Sequence, residues 1–279
     1  RCRADGGMDL VLDFAFPLPV EVICSMLGID GSERERLQEW SREILTPLEP
    51  TATPDMIAAG NRAVSEFTAF LRDLLAEKRR NMSRGVRVGD ILEDLIESQE
   101  SEDDPLTEDE LVQNCILLLN GGHETTTNLV GNGMKAMFDN PDQLQKLRDD
   151  PSLIAGAIEE MLRFDSPLQI GNRGIAEPFE VGGITLAPGT QLLTSIGGAN
   201  RDPDAFDNPD GFDITRTPNK HLAFAAGIHA CIGAPLARME GTIAIGKLVA
   251  AFPNLQRTGP ISRGGRARFR GLTSMPVSI

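Results

Sequence analysis

Between Thr107 and the pair Asn140-Pro141 runs one stretch of unbroken helical periodicity, and no other feature of this chain restricts its fold so much. Thr107 with Glu110 three residues later forms a capping box, apolar residues recur from Leu111 to Phe138, and Asn140-Pro141 ends the pattern. A helix over 107–139 measures about 48 Å at 1.5 Å per residue. A helix of that length crosses a whole domain and needs apolar partners along its course, so a mostly α fold is expected. Its middle, Asn120-Gly121-Gly122-His123-Glu124-Thr125-Thr126-Thr127-Asn128, holds two glycines and three β-branched residues, each of which weakens a helix. Local rule-breaking of this kind predicts a functional kink.

Helical texture continues on both sides. Extended or turn structure around Pro17 and Pro19 precedes a short apolar helix, Val20 to Leu27, stopped by Gly28. Ser32 is placed to cap Glu33 to Leu45, Pro54 opens an amphipathic segment to Arg80, and Asp90 starts another. After Pro141 come a helix from Asp142 to Arg148 and one over 152–164. The texture then changes. Alternating residues with the turn pairs Gly182-Gly183 and Pro188-Gly189 predict strands over 169–196, followed by a loop rich in proline and aspartate. A loop over 224–233, a last long helix over 234–252 and a glycine-rich tail complete the chain. With no repeat and no clear linker, a single domain over 1–279 is expected, mostly α with a minor β portion.

Charge and cysteine usage narrow the function. Forty-one acidic against 27 basic residues give a formal net charge of −14. Duplex binders need clustered positive charge to displace counterions, so no nucleic-acid partner is expected. The four arginines from Arg263 to Arg270, interleaved with glycines and Phe269, read as a solvated hairpin. Cys2, Cys24, Cys115 and Cys231 lie far apart without a C-x-x-C pair, which fits a reducing, cytoplasmic setting. No apolar run approaches the ~20 residues of a membrane span, and the first seven residues do not read as a signal peptide.

The sharpest chemical signal is Phe224-Ala225-Ala226-Gly227-Ile228-His229-Ala230-Cys231-Ile232-Gly233, directly before a helix. Gly227 and Gly233 allow unusual backbone angles and close approach of a flat ligand, and a following helix N-terminus favours a thiolate. A thiolate so held is a good axial ligand for iron. A lone cysteine is more often simply buried. The pattern F-x-x-G-x-H-x-C-x-G, however, fixes five positions and arises by chance in roughly one of 10⁵ chains of this length.

This loop, continued by Leu236-Ala237-Arg238-Met239-Glu240, resembles the heme-binding loop of the cytochrome P450 superfamily, in its bacterial soluble branch. The resemblance implies heme b, with Cys231 as proximal iron ligand, His229 at a propionate, and Phe224, Gly227, Gly233 and Ala237 around the porphyrin. Three further segments agree in kind and order. Glu160-Met161-Leu162-Arg163 is an E-x-x-R whose ends share a helix face, implied by the resemblance to be a buried network fixing the fold around the cysteine loop. Gly121 to Thr126 resembles the family's distal-helix pattern A/G-G-x-D/E-T-T. It implies that Gly121 and Gly122 leave space beside the heme, Thr125 hydrogen-bonds oxygen, and Glu124 relays protons. His123 takes the variable position and is expected to be structural or channel-facing. Arg173, after the E-x-x-R helix, matches an arginine that pairs with a propionate. Leu168, Gln169 and Ile170, with Leu272 and Thr273, resemble segments lining the substrate pocket.

A rival motif fails on ligand count: His123-Glu124 opens like a zinc-binding H-E-x-x-H, but Thr127 stands where the second histidine is needed. Two departures from the family pattern are evident. Ala225 replaces a glycine common after the motif phenylalanine, and Gly211 stands where an arginine commonly joins the E-x-x-R network, which predicts a weaker network.

The resemblance covers essentially the whole chain but starts partway into the family fold. It implies a cytochrome P450 fold lacking its N-terminal helices and part of its sheet. The implied function is that of a heme-thiolate monooxygenase, which uses O2 to hydroxylate or epoxidise an apolar small molecule. Electrons would come from NAD(P)H through a reductase and a ferredoxin- or flavodoxin-type carrier. The alternative is a catalytically silent fragment or pseudo-enzyme that cannot hold heme without the missing N-terminal segment. A third reading, peroxide use or gas sensing, is disfavoured because both Glu124 and Thr125 are present.

Overall fold

The computed structural model describes residues 6–101 and 105–279, which fall into two compact units. One comprises Leu12–Thr127, and the other joins the start of the chain, up to Val11, with Asn128–Ile279.

The Leu12–Thr127 unit is helical. A π-helical turn leads into α1 (Pro17–Leu27), whose first turn contains both prolines that the sequence placed before it. First-turn N–H groups have no intrahelical partner, so proline removes nothing there. Gly28, at φ 61°, closes α1 in the left-handed conformation. Before α2 (Arg34–Leu45) a 3₁₀ turn, Gly31–Glu33, is capped by Asp30, whose Oδ1 accepts the Ser32 N–H at 2.8 Å, and α2 itself starts without the side-chain cap expected from Ser32. Thr53 caps α3 (Pro54–Ser83), and α4 (Ile91–Ser101) follows. The core packs Trp40 against Phe67, ring centroids 5.1 Å apart, with Ile23, Leu71, Leu75, Leu92, Leu111 and Leu119 around them.

Helix α5 (Glu108–Asp139) begins with the expected capping box. Thr107 N–H donates to the Glu110 carboxylate at 2.8 Å, and Glu110 N–H donates to Thr107 Oγ1 at 3.2 Å. The helix runs continuously through residues 120–128. There the Thr125 and Thr127 hydroxyls donate to the carbonyls of Gly121 (2.8 Å) and His123 (3.1 Å), one turn back, a kind of bond that often bends a helix.

The other unit pairs the two ends of the chain. β1 (Gly7–Asp9) lies antiparallel to β9 (Pro276–Ser278), which also pairs with β6 (Gln256–Arg257). Between them run α6 (Pro141–Asp149), α7 (Ile154–Phe164), the antiparallel pair β2 (Ile170–Gly174) and β5 (Gln191–Ser195), the hairpin β3 (Phe179–Val181) and β4 (Ile184–Leu186), the short α8 (Ile196–Ala199), and α9 (Ala234–Ala251). α9 packs on α7 at Gly241, where a Cβ would meet Leu129 and Ile158 at 3.1 and 3.2 Å. The tail forms β7 (Ser262–Arg263) and β8 (Leu272–Ser274). Its arginines are not all solvated: Arg263 pairs with Asp165 at 3.2 Å, and Arg268, 9% exposed, donates to Asn172 Oδ1 at 2.6 Å. Among the described residues no helix is long and apolar enough to cross a membrane.

Candidate functional site

The cysteine loop is built from two left-handed residues and a tight turn. Ala225 has φ 56° and Gly227 φ 73°. An alanine in this region costs about 1–2 kcal/mol, which explains why glycine suits position 225. The 3₁₀ turn Gly227–His229 closes with Ala230 N–H on the Gly227 carbonyl at 3.0 Å, and Cys231 N–H donates back to the Phe224 carbonyl at 2.9 Å. Gly233 then caps α9, with proline in the helix's first turn, so the sulfur lies just ahead of a helix N-terminus.

Exposure separates Cys231 from the other described cysteines. Cys24 and Cys115 are buried, and burial pushes the Cys115 thiol up to about 11, whereas Cys231 is exposed. Its neighbours Ile228 and Ile232 are 98% and 93% exposed, and His229 is exposed beside them. An open thiol between two uncovered isoleucines is surface that a flat apolar ligand would cover.

The E-x-x-R pair is fully buried on α7. Arg163 uses all five N–H donors: Nε and Nη2 reach the two Glu160 oxygens at 2.8 Å, and the rest reach the carbonyls of Asn200, Pro209 and Gly211 at 2.7–2.9 Å. Glu160 also accepts from Asp213 N–H (2.9 Å), Asn219 Nδ2 (3.1 Å) and Arg216 Nε (3.1 Å). The network is therefore not weakened by Gly211. Its arginine is Arg216, five residues on, and Gly211 contributes a carbonyl to both Arg163 and Arg216.

The adjacent carboxylate, Glu159, was not singled out by sequence reasoning. It binds Arg238 of α9 through two hydrogen bonds, 2.7 and 2.9 Å, and accepts from His221 Nε2 at 3.1 Å. Burial pushes this carboxyl up, but hydrogen bonds from His221 and Arg238, together with the Arg238 charge, carry it down to about 2. The only sequence signal for it is the doublet Glu159-Glu160, two carboxylates about 100° apart around one helix.

Arg173 is exposed on β2, donates to the Asn172 carbonyl at 2.7 Å, and forms no ion pair among the described residues. Leu168 bridges to Phe269 and Gln169 N–H donates to the Arg268 carbonyl at 2.8 Å, which brings the segments around 168–170 and 268–273 side by side. Leu272 is buried facing Gly131 of α5, while Thr273 stays exposed and Ile170 is half-buried.

Gly121, Gly122, Glu124 and Thr125 belong to the Leu12–Thr127 unit. A Cβ on Gly121 would have nothing within 4 Å, whereas one on Gly122 would overlap Ile23. Glu124 and Thr125 are half-buried. His123 points inward instead, with Nδ1 3.3 Å from Ser41 Oγ and its ring edge-on to Phe16, and burial holds it down to about 4.

Residues 50–260 match the family model described as Cytochrome P450. The chain is 38% identical over 278 residues to the biotin biosynthesis cytochrome P450 of Bacillus subtilis, covering 98% of this chain and 67% of that protein. It is 41% identical over 282 residues to cytochrome P450 107B1 of Saccharopolyspora erythraea, covering 99% and 66%. Among solved structures, P450BioI in complex with an acyl carrier protein ligated to hexadec-9Z-enoic acid superimposes with a TM-score of 0.93 at 37% identity, over 99% of this chain and 70% of that one. The chain thus spans about two thirds of the length of these curated relatives.

Proposed function

Because the chain belongs to the cytochrome P450 family, we propose that it serves a heme-thiolate monooxygenase acting on an apolar small molecule by hydroxylation or epoxidation. The observation that carries this reading is the exposed Cys231, held by the turn of residues 224–231 and flanked by Ile228 and Ile232 at 98% and 93% exposure. That donor set fits heme b: a soft thiolate for the iron, apolar side chains for the porphyrin face, and the exposed cationic or hydrogen-bonding groups Arg173 and His229 for its propionates. When bound, the heme supplies an iron centre for dioxygen activation.

The chain's own residues have separable tasks. Cys231 would hold the iron through its sulfur, a soft, electron-rich ligand. Glu124 and Thr125 hold the protons for the oxygen chemistry, with the Thr125 hydroxyl parked on the Gly121 carbonyl. Gly121 keeps a helix surface free of side-chain bulk. Leu168, Gln169, Ile170 and Thr273 are read as substrate-facing, and the buried Leu272 as support behind them. We place the reaction in the cytoplasm, where a ferredoxin- or flavodoxin-type carrier and its NAD(P)H-dependent reductase would supply electrons. The solved relative bound to an acylated carrier protein adds a carrier-bound acyl chain to the candidate substrates.

The test is an absorption spectrum of the purified chain supplied with heme and reduced under carbon monoxide. A Soret band at the long wavelength typical of thiolate ligation, lost in Cys231→Ala, is expected. Heme uptake with a spectrum unaltered by that substitution would overturn the reading.

A further inference from the structure

Two consecutive carboxylates leave α7 in different directions, and only the second, Glu160, belongs to the family pattern. Glu159 joins three elements at once: α7, which carries it, the segment ahead of the cysteine through His221, and α9 through Arg238. The His221 link has a fixed polarity. Its Nδ1 accepts the Ala223 N–H at 3.2 Å, so Nε2 carries the ring proton and donates it to Glu159. Both partners border the Phe224 ring, the Arg238 guanidinium 4.5 Å from its centroid and the His221 ring 6.0 Å away. Phe224 in turn supplies the carbonyl that takes the Cys231 N–H.

We propose that Glu159 is a positioning residue for Cys231: by holding Arg238 and His221 against the Phe224 ring, it fixes the carbonyl that anchors the cysteine amide and so sets where the sulfur sits. The relevance to iron ligation rests on the heme-thiolate reading, but the clamp itself does not. Glu160 and Glu159 therefore divide the work on one helix turn. Glu160, with its partner Arg163, gathers residues 200–219, and Glu159 holds residues 221–231 against α9. The bidentate Arg238 contact supplies geometric specificity that a single hydrogen bond would lack.

The test compares the wild-type chain with Glu159→Ala, Glu159→Asp and Arg238→Gln, with two readouts. Hydrogen exchange of amides 224–233, followed without added heme, is expected to accelerate at least about tenfold in Glu159→Ala and Arg238→Gln, while the interiors of α7 and α9 keep their protection. After heme loading, the share of the reduced carbon monoxide complex showing the thiolate band should fall in both variants and recover in Glu159→Asp. Unchanged loop exchange in a folded Glu159→Ala would overturn the proposal. Should that variant not fold, Arg238→Gln at the half-exposed end of the clamp decides by the same readout. If Cys231→Ala leaves the heme spectrum unaltered, the heme reading fails while the exchange result still decides the clamp.

Discussion

At the scale of single residues, the strongest commitment in the molecule is Arg163. A fully buried guanidinium with five acceptors is tolerable only while every acceptor stays in place, because a buried charge without partners costs several kcal/mol. Arg163→Ala should therefore destabilise the Asn128–Ile279 unit by about 3–5 kcal/mol, read as a shift in urea midpoint. A loss under 1 kcal/mol would show that the network is not the anchor described. The E-x-x-R spacing made Glu160 and Arg163 legible, but not Arg216, since the arginine joining them arrives from 56 residues away and no spacing rule reaches that far. Glu159 escaped for the same reason: its partners are 62 and 79 residues distant.

At the scale of elements, glycines mark what each helix faces. Gly156 of α7 has the Ile214 carbonyl where a Cβ would stand, at 2.8 Å, and a backbone atom cannot swing aside. Gly121 of α5 has nothing within 4 Å. Gly156→Ala should thus lose about 1–3 kcal/mol through overpacking, while Gly121→Ala should gain up to about 1 kcal/mol from helix propensity. Thermal unfolding of the two variants reads both, and equal effects would refute the distinction. The ends of elements were largely legible. The Thr107 box, the Gly28 stop and the Pro54 start rest on hydrogen bonds and φ angles within a few residues.

At the scale of the whole molecule, two buried titratable groups give opposite pH dependences. Burial pushes the Glu240 carboxyl of α9 up to about 7, and among the described residues its Oε2 has no partner. Between its ordinary 4.5 and about 7 the folded chain keeps a proton that the unfolded chain has released, so stability falls as pH rises, by about 3 kcal/mol in all. His123, in the other unit, is held down to about 4. From 6.5 down to 4 the unfolded chain takes up a proton that the folded chain refuses, so stability falls as pH drops. Urea unfolding between pH 4 and 8 separates them. Glu240→Gln should match the wild type near pH 4.5 and exceed it increasingly up to pH 8, by about 3 kcal/mol. A pH-independent difference would mean that Glu240 is not held protonated.

The sequence by itself determined the helical class, the long helix and its cap, the strand-rich segment after α7, and the cysteine loop with the family resemblance it carries. These rest on periodicity, capping and backbone preference, which act within one or two turns. Only the tertiary structure decided which charges meet. Arg216 completes the Glu160 network, Glu159 clamps Arg238 and His221, Arg268 is buried, and residues 7–9 pair with 276–278. A salt bridge or strand pairing depends on the approach of segments far apart in the chain, and the free energy that selects it, desolvation against partnership, exists only once those segments are packed.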